Sequence, residues 1–321
     1  MKIFKNLSIL LDIILNKYFL RKPDFSEKKI FLQGKLIEEE NKKKKTIDNF
    51  QDVEFSVFSQ FGEDGVISWV IDRIPNIKKV FLEIGTQDYW ESNTRFLLKS
   101  RNWKGYLIDS SAHHIKKIKS QRIYWKHKLK AIQAFINKEN INNIIEKNIS
   151  EKEIGLLSID IDGNDYWILE KIKNLSPAII VCEFNSIFGD IYKLSIPYEE
   201  DFVRNEKHYS NLYFGASIQA LISMLKNKDY FFLGTCSTGI NAFFVKNELS
   251  PYFEKNIRHK KMFPSLVREG LNADGKLTFE DLLEGKKKID SLEVFDFEKK
   301  EVKKFFEYKN LYSSFWKESF K

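Results

Sequence analysis

The segment Ser158-Ile-Asp-Ile-Asp-Gly-Asn-Asp165 crowds three carboxylates, Asp160, Asp162 and Asp165, into six residues. Like charges this close repel unless something positive lies among them, and oxygen donors suit hard cations such as Mg²⁺ or Ca²⁺ better than soft ones. Glu183 and Asn185, at the end of a later apolar run, can join the same donor set. A second reading needs no metal: Asp162 and Asp165 cap the following helix, and Asp160 alone faces a cofactor or acceptor. Both readings allow removal of a proton from a hydroxyl, by a carboxylate base or through a metal-bound alkoxide. Asp160 and Glu183 are the candidate carboxylate bases, and His208, just ahead of Tyr-Ser, is the candidate imidazole. His113 and His114 are further candidates, although histidines on a helix face are most often solvated.

A second constellation is Phe81-Leu-Glu-Ile-Gly-Thr-Gln-Asp-Tyr-Trp-Glu-Ser-Asn-Thr94. Here a short apolar strand runs into an acid, Glu83, a glycine, Gly85, and a polar turn that opens a helix. Glycine permits the tight turn, and the free amides of a helix start favour an anionic or nucleotide-like ligand. The fingerprint of a dinucleotide site needs two further glycines, which Thr86-Gln-Asp-Tyr-Trp90 does not supply. Asp109 ends the next apolar run, where a carboxylate either accepts both hydroxyls of a ribose or caps a helix. In Ser59-Gln-Phe-Gly-Glu-Asp-Gly65, the acids Glu63 and Asp64 complement the dipole of a helix start.

These groups need a scaffold, and the chain alternates to provide one. VFLEIG, GYLIDSS, LKAIQAF, GLLSIDID and AIIVCEF read as strands, separated by NTRFLLKS, AHHIKKIKS, INNIIEKNI and YWILEKI as helices. This pattern predicts a parallel sheet with helices on both faces. After a helix over Ser217 to Lys226, the runs Tyr230–Leu233 and Ile240–Val245 are separated only by a Gly-Thr-Cys-Ser-Thr-Gly turn. No crossover fits in so short a connection, so these last two strands must be antiparallel neighbours. A Rossmann-like α/β sheet of about seven mostly parallel strands with a terminal antiparallel hairpin is the layout of class I methyltransferases.

The segments SQFGEDG, FLEIGTQDYWESNT, WKGYLIDSS, INKENIN, LLSIDIDGNDYWIL, AIIVCEFN, YFGAS and GINAFFV follow one another from Ser59 to Val245. In this order they resemble the FkbM-like proteins, an S-adenosylmethionine-dependent methyltransferase-fold family frequent in bacterial surface-glycan and secondary-metabolite gene neighbourhoods. The resemblance implies S-adenosylmethionine as cofactor, with Glu83 and Gly85 in its first motif, Asp109 on its ribose, and Gln60, Glu63 and Asp64 close by. It also implies O-methylation of a sugar hydroxyl on a surface glycan or glycosylated metabolite, and some sugar O-methyltransferases of this fold use an aspartate-bound Mg²⁺. The chain departs from the usual loop at Gln87, where a second glycine is normal. Two other readings stand beside this one: a non-catalytic Rossmann-like interaction protein, and an RNA methyltransferase.

Composition narrows the classes. With 321 residues, 43% hydrophobic and 31% charged, the chain is an ordinary globular protein rather than a disordered one. Its net charge of +8 is spread over scattered basic runs rather than gathered in a module, which favours a solvated surface over nucleic-acid binding. Cys182 and Cys236 have no metal-ligand spacing and read as packing residues in a reducing, cytoplasmic compartment. Residues 1–54 read as an amphipathic helix, with an alternative role in peripheral membrane contact, and a polar linker; 55–247 as the methyltransferase-like domain; and 248–321 as a helical, aromatic-rich extension packing on the body or on a second subunit. Glu199 to Tyr213 is polar and aperiodic, and is expected to form the lid over the acceptor.

Overall fold

A computed structural model describes residues Phe25 to Ser319. The amphipathic segment at the start, and the membrane contact tied to it, lie outside the described residues. Among the described residues no helix is long and apolar enough to cross a membrane.

The alternation of the sequence becomes alternation in space. In chain order come α1 (Phe25–Lys43), α2 (Glu63–Ile71), β1 (Val80–Ile84), α3 (Arg95–Arg101), β2 (Lys104–Asp109), α4 (Ala112–Ser120), β3 (Leu129–Gln133), α5 (Ile141–Asn148), β4 (Glu153–Ile159), α6 (Asp165–Lys171) and β5 (Ser176–Glu183). The two-residue strand β6 (Leu194–Ser195) precedes α7 (Ile218–Asn227), β7 (Tyr230–Thr235) and β8 (Asn241–Lys246). Strands β1 to β5, β7 and β8 form one sheet in the order β3-β2-β1-β4-β5-β8-β7. Pairing is parallel from β3 to β5, and β8 runs antiparallel to both β5 and β7. This is the strand order of the class I methyltransferase fold, with the expected hairpin at its edge.

Both faces of the sheet are buried, as the near-continuous apolar strands require. Leu82, Ile84, Ile108, Leu157, Ile159 and Ile180 pack on one side. Phe81, Leu107, Leu156, Ile179, Val181 and Phe243 pack on the other. The register sets the site. Ile84 pairs with Ile108 and with Ile159, and Ile159 pairs with Cys182, so Gly85, Asp109, Asp160 and Glu183 emerge together at the carboxyl ends of four adjacent strands. That edge is where open α/β sheets bind ligands.

The body begins earlier than Phe55. Ile47, Phe50 and Val53 are buried, and Ile47 bridges Ile257. Helix α1 lacks an apolar stripe but is not merely solvated: Glu38, only 1% exposed, accepts from Arg101 Nε at 2.9 Å, and Arg101 pairs onward with Asp72. Charge pairing docks this helix together with Phe31, whose ring packs against Phe58 and Phe96. The tail beyond Tyr252 is only partly helical. It supplies α8 (Leu282–Ile289) and then a hairpin of β9 (Glu293–Asp296) and β10 (Glu301–Lys304) that pairs with β6 in a second, three-stranded sheet. Phe253, Phe305 and Trp316 are fully buried, so much of the tail's aromatic surface packs on the body. Both cysteines are free and buried, as packing residues should be.

Candidate active site

Two chambers open at this edge and share a wall formed by Gly85, Gln87, Asp160 and Asp162. The first, about 310 Å³, is walled by Ile108, Ala134, Phe135 and Ile136 on its apolar side and by Asp109, Ser111 and His114 on its polar side. The second, about 420 Å³, is lined largely by polar groups, among them Glu183, Asn241, Thr86 and Arg204.

Gly85 is indispensable to the shared wall. Its φ is +82°, and a Cβ there would lie 1.5 Å from the carbonyl oxygen of Asp160, so only glycine lets β1 and β4 end this close together. Gln87, in place of the usual second glycine, takes φ +45°. The loop thus keeps the left-handed turn without the residue that adopts it most easily. Glu83 organises the same loop from below: its Oε1 accepts from Asn93 N at 3.0 Å, and its Oε2 accepts from Ser92 Oγ at 2.6 Å and from Thr94 Oγ1. Burial raises its pKa, opposed by these donors. Glu83 lines the polar chamber, yet its oxygens are engaged by the loop and not presented to a cofactor.

Asp109 lines the polar side of the apolar chamber. It is 7% exposed, at the lip of the apolar chamber. Its Oδ1 accepts from Ser111 N at 2.8 Å and lies 3.1 Å from His114 Nδ1. It is not the helix cap, because Ser111 caps α4 by accepting from His114 N.

The SQFGEDG acids do not reach the apolar chamber. Asp64 is 1% exposed, and its Oδ2 accepts from the amides of Val57, Phe58 and Ser59. Glu63 accepts from Phe61 N and from Asn241 Nδ2. Both stitch the start of α2 to its surroundings, and Gln60 lines the polar chamber instead. A helix start meets a neighbouring loop here, so the acids are used on backbone amides.

The carboxylate cluster is real, but one member changes. Oxygens of Asp160, Asp162 and Glu183 lie within 4.8 Å of one another. Asp165 is not the third ligand: its oxygens accept from the amides of Ile161 and Gly163 at 2.7 and 3.0 Å, closing the turn into α6. Asn185 is also spent, since its Oδ1 caps the next turn at Ile187 N and its Nδ2 donates to the carbonyls of Leu212 and Phe214. Burial first, and Asp162 next, push the Asp160 pKa well above the carboxylate range. Burial and then Asp160 do the same to Glu183. A shared proton relieves that repulsion. Glu183 Oε2 is buried without a hydrogen-bond partner among the described residues.

The positive charge beside this cluster is Arg204, in the expected lid. It pairs with Asp162 and, at 2.5 Å, with Glu269, donates from Nε to Asn211 O, and lies 3.7 Å from the centre of the Phe214 ring. Phe202 from the same segment lines the apolar chamber. Neither Arg204 nor Glu269 was marked by a motif, and an isolated arginine in a polar loop gives no signal in the sequence. His208 is not a base for this site: it lines neither chamber, its Nδ1 accepts from Ser210 N, and its ring lies on Tyr209. Burial, then Lys288, lowers its pKa. The oxygens of Asp160, Asp162 and Glu183, with Glu183 Oε2 unpaired among the described residues, are of the type that suits a hard divalent cation.

Among solved structures, the chain is similar to an O-methyltransferase from Bacillus cereus in complex with SAH, at 14% identity over 74% of this chain and 97% of that one, with a TM-score of 0.40. It is also similar to a SAM-dependent methyltransferase from Aquifex aeolicus, at 12% identity over 60% of this chain and 94% of that one, with a TM-score of 0.36. The sequence matches no family model and no curated protein.

Proposed function

We propose that the protein is an S-adenosylmethionine-dependent O-methyltransferase of the FkbM-like kind, acting on a sugar hydroxyl of a glycan or glycosylated metabolite. The observation that carries the reading is the pair of half-buried Asp160 and buried Glu183 on the boundary between an apolar chamber with an acid at its lip and a polar chamber. When bound, S-adenosylmethionine supplies a methyl group already activated by its sulfonium. The chain has then to orient two ligands and remove one proton. Asp109, with His114 beside it, holds the ribose end, while Phe135 and Ile136 wall the adenine side. Gly85 lets the backbone approach closely, and the acidic wall complements the sulfonium.

Across the wall, the Asp160–Glu183 pair takes the proton of the acceptor hydroxyl. Burial and mutual repulsion raise the affinity of this pair for protons, the direction a carboxylate base needs. Phe202 and Arg204, from the lid, flank the two chambers and select what enters. If Mg²⁺ takes part, Asp160, Asp162 and Glu183 would hold it, and it would lower the pKa of the hydroxyl. Carboxylates predominate around the polar chamber, which disfavours an RNA substrate.

Titration calorimetry of the full chain with S-adenosylhomocysteine tests the reading. Saturable binding that is lost in Gly85→Val supports it. No heat with either S-adenosylmethionine or S-adenosylhomocysteine at millimolar concentration, with or without Mg²⁺, overturns it in favour of a non-catalytic fold.

A further inference from the structure

We infer that Trp90 is a stacking platform for a pyranose ring, and that the polar chamber beneath it takes a neutral or amino sugar and rejects an acidic one. The inference deepens the proposed reading by naming how the acceptor is held.

Trp90 lies in the turn between β1 and α3, lines the polar chamber and is 52% exposed. An indole left half exposed beside a polar cavity presents an apolar face that a ligand in the cavity can cover. The residue is also well supported. The guanidinium carbon of Arg95 lies 4.6 Å from its ring centre, and Arg95 is itself 3% exposed. Arg95 Nη1 donates to Tyr89 O at 2.7 Å and to Gln121 Oε1 at 2.8 Å. The ring therefore rests on a fixed cation, which is how a platform is pre-organised.

The chamber offers buried polar oxygens left unpaired, two of them acceptors only and one a hydroxyl. Glu183 Oε2, Asn241 Oδ1 and Thr86 Oγ1 all belong to residues less than a tenth exposed, all line this chamber, and none has a hydrogen-bond partner among the described residues. Buried acceptors left bare cost free energy that a ligand rich in hydroxyls recovers. A pyranose presents an apolar C–H face on one side and hydroxyl donors around its rim, matching the indole and these acceptors respectively. Charge narrows the class further. Arg204 is the one basic side chain among the described residues lining the chamber, and Asp162 and Glu269 already pair with it. A carboxylate or phosphate on the sugar would meet Asp88, Glu91, Asp160 and Glu183 without a free counter-charge.

Saturation-transfer NMR on the full chain tests this with methyl α-D-glucopyranoside, methyl α-D-mannopyranoside and methyl α-L-rhamnopyranoside, and with methyl α-D-glucopyranosiduronate as the acidic counterpart. At least one neutral glycoside is expected to bind through its C–H face, to weaken about tenfold in Trp90→Ala, an ordinary loss for one stacking contact, and to persist in Trp90→Phe. The uronate is expected to give no signal. Binding of no neutral glycoside, equal binding by Trp90→Ala, or equal binding of the uronate overturns the inference. Sugar binding is read here without turnover, and S-adenosylhomocysteine affinity is measured in parallel. A wild-type chain that binds sugar but no S-adenosylhomocysteine overturns only the methyltransferase reading.

Discussion

At the scale of single residues, what separates a structural acid from a chemical one is the donor it meets. Asp165 and Glu83 have their oxygens taken by amides and hydroxyls of their own loops, whereas Glu183 keeps Oε2 bare in the polar chamber. Spacing along the chain treats these acids alike, which is why Asp165 reads as a ligand in the sequence and only the turn geometry removes it. Glu183→Gln keeps the shape and removes the charge. Turnover should fall about 100-fold or more, the ordinary worth of a positioned base, while calorimetry with S-adenosylhomocysteine gives an unchanged affinity, because Glu183 lines the other chamber. Full activity in this variant would dismiss the pair as the base. Asp109→Ala tests the opposite side. Helix α4 keeps its Ser111 cap, so the fold should persist, with the melting temperature lowered only by the lost bond from Ser111 N and the lost contact to His114. The affinity for S-adenosylhomocysteine should drop about tenfold or more, since a hydrogen bond to a charged group contributes roughly 1.5–3 kcal/mol. Unchanged affinity would remove Asp109 from the ribose.

At the scale of elements, the loop after β1 takes a positive φ at Gly85, Gln87 and Tyr89, and the first two differ in what they tolerate. Gly85 combines a positive φ with a neighbour 1.5 Å from any Cβ, so Gly85→Ala must push β4 away. It should lower the melting temperature and abolish S-adenosylhomocysteine binding together. Gln87 bears only the conformational cost of φ +45°, on the order of 1–2 kcal/mol for a side chain. Gln87→Gly should therefore melt no lower than wild type and bind S-adenosylhomocysteine at least as well, by calorimetry. A clear loss of binding would mean that the Gln87 side chain, not its backbone, serves the ligand. The sequence revealed the mostly parallel sheet and its terminal hairpin because alternation and loop length determine them, and it placed Gly85, Asp109, Asp160 and Glu183 at strand ends for the same reason, while the spatial order of the strands came only from the pairing in the structure. It did not reveal Arg204, Glu269 or Trp90 as one surface. They come from segments far apart in the chain, have no period, and meet only because crossovers return to the same edge of the sheet.

At the scale of the whole molecule, the segment before β1 is tied to the site through two buried acids, Glu63, which accepts from Asn241 at the polar chamber, and Asp64. Asp64 gathers the amides of Val57, Phe58 and Ser59, Phe58 O accepts from Ser92 N, and the Phe58 ring lies 5.1 Å from the Arg95 guanidinium. The loop carrying Trp90 therefore rests on the loop that Asp64 closes. Burial raises the Asp64 pKa from 3.8 to about 7, against the lowering effect of those three amides. Because the folded pKa lies above the unfolded one, the folded chain retains a proton that the unfolded chain releases from about pH 4 upward. This contribution to stability is complete below the unfolded value and is lost as pH rises through about 7. Asp64→Asn accepts from the same amides without titrating. Relative to wild type, its stability should improve between pH 4 and pH 8 by on the order of 3 kcal/mol, read as a flatter plot of melting temperature against pH. A constant offset between the two plots would mean that Asp64 is ionised throughout, its charge stabilised by the three amides more strongly than burial opposes it.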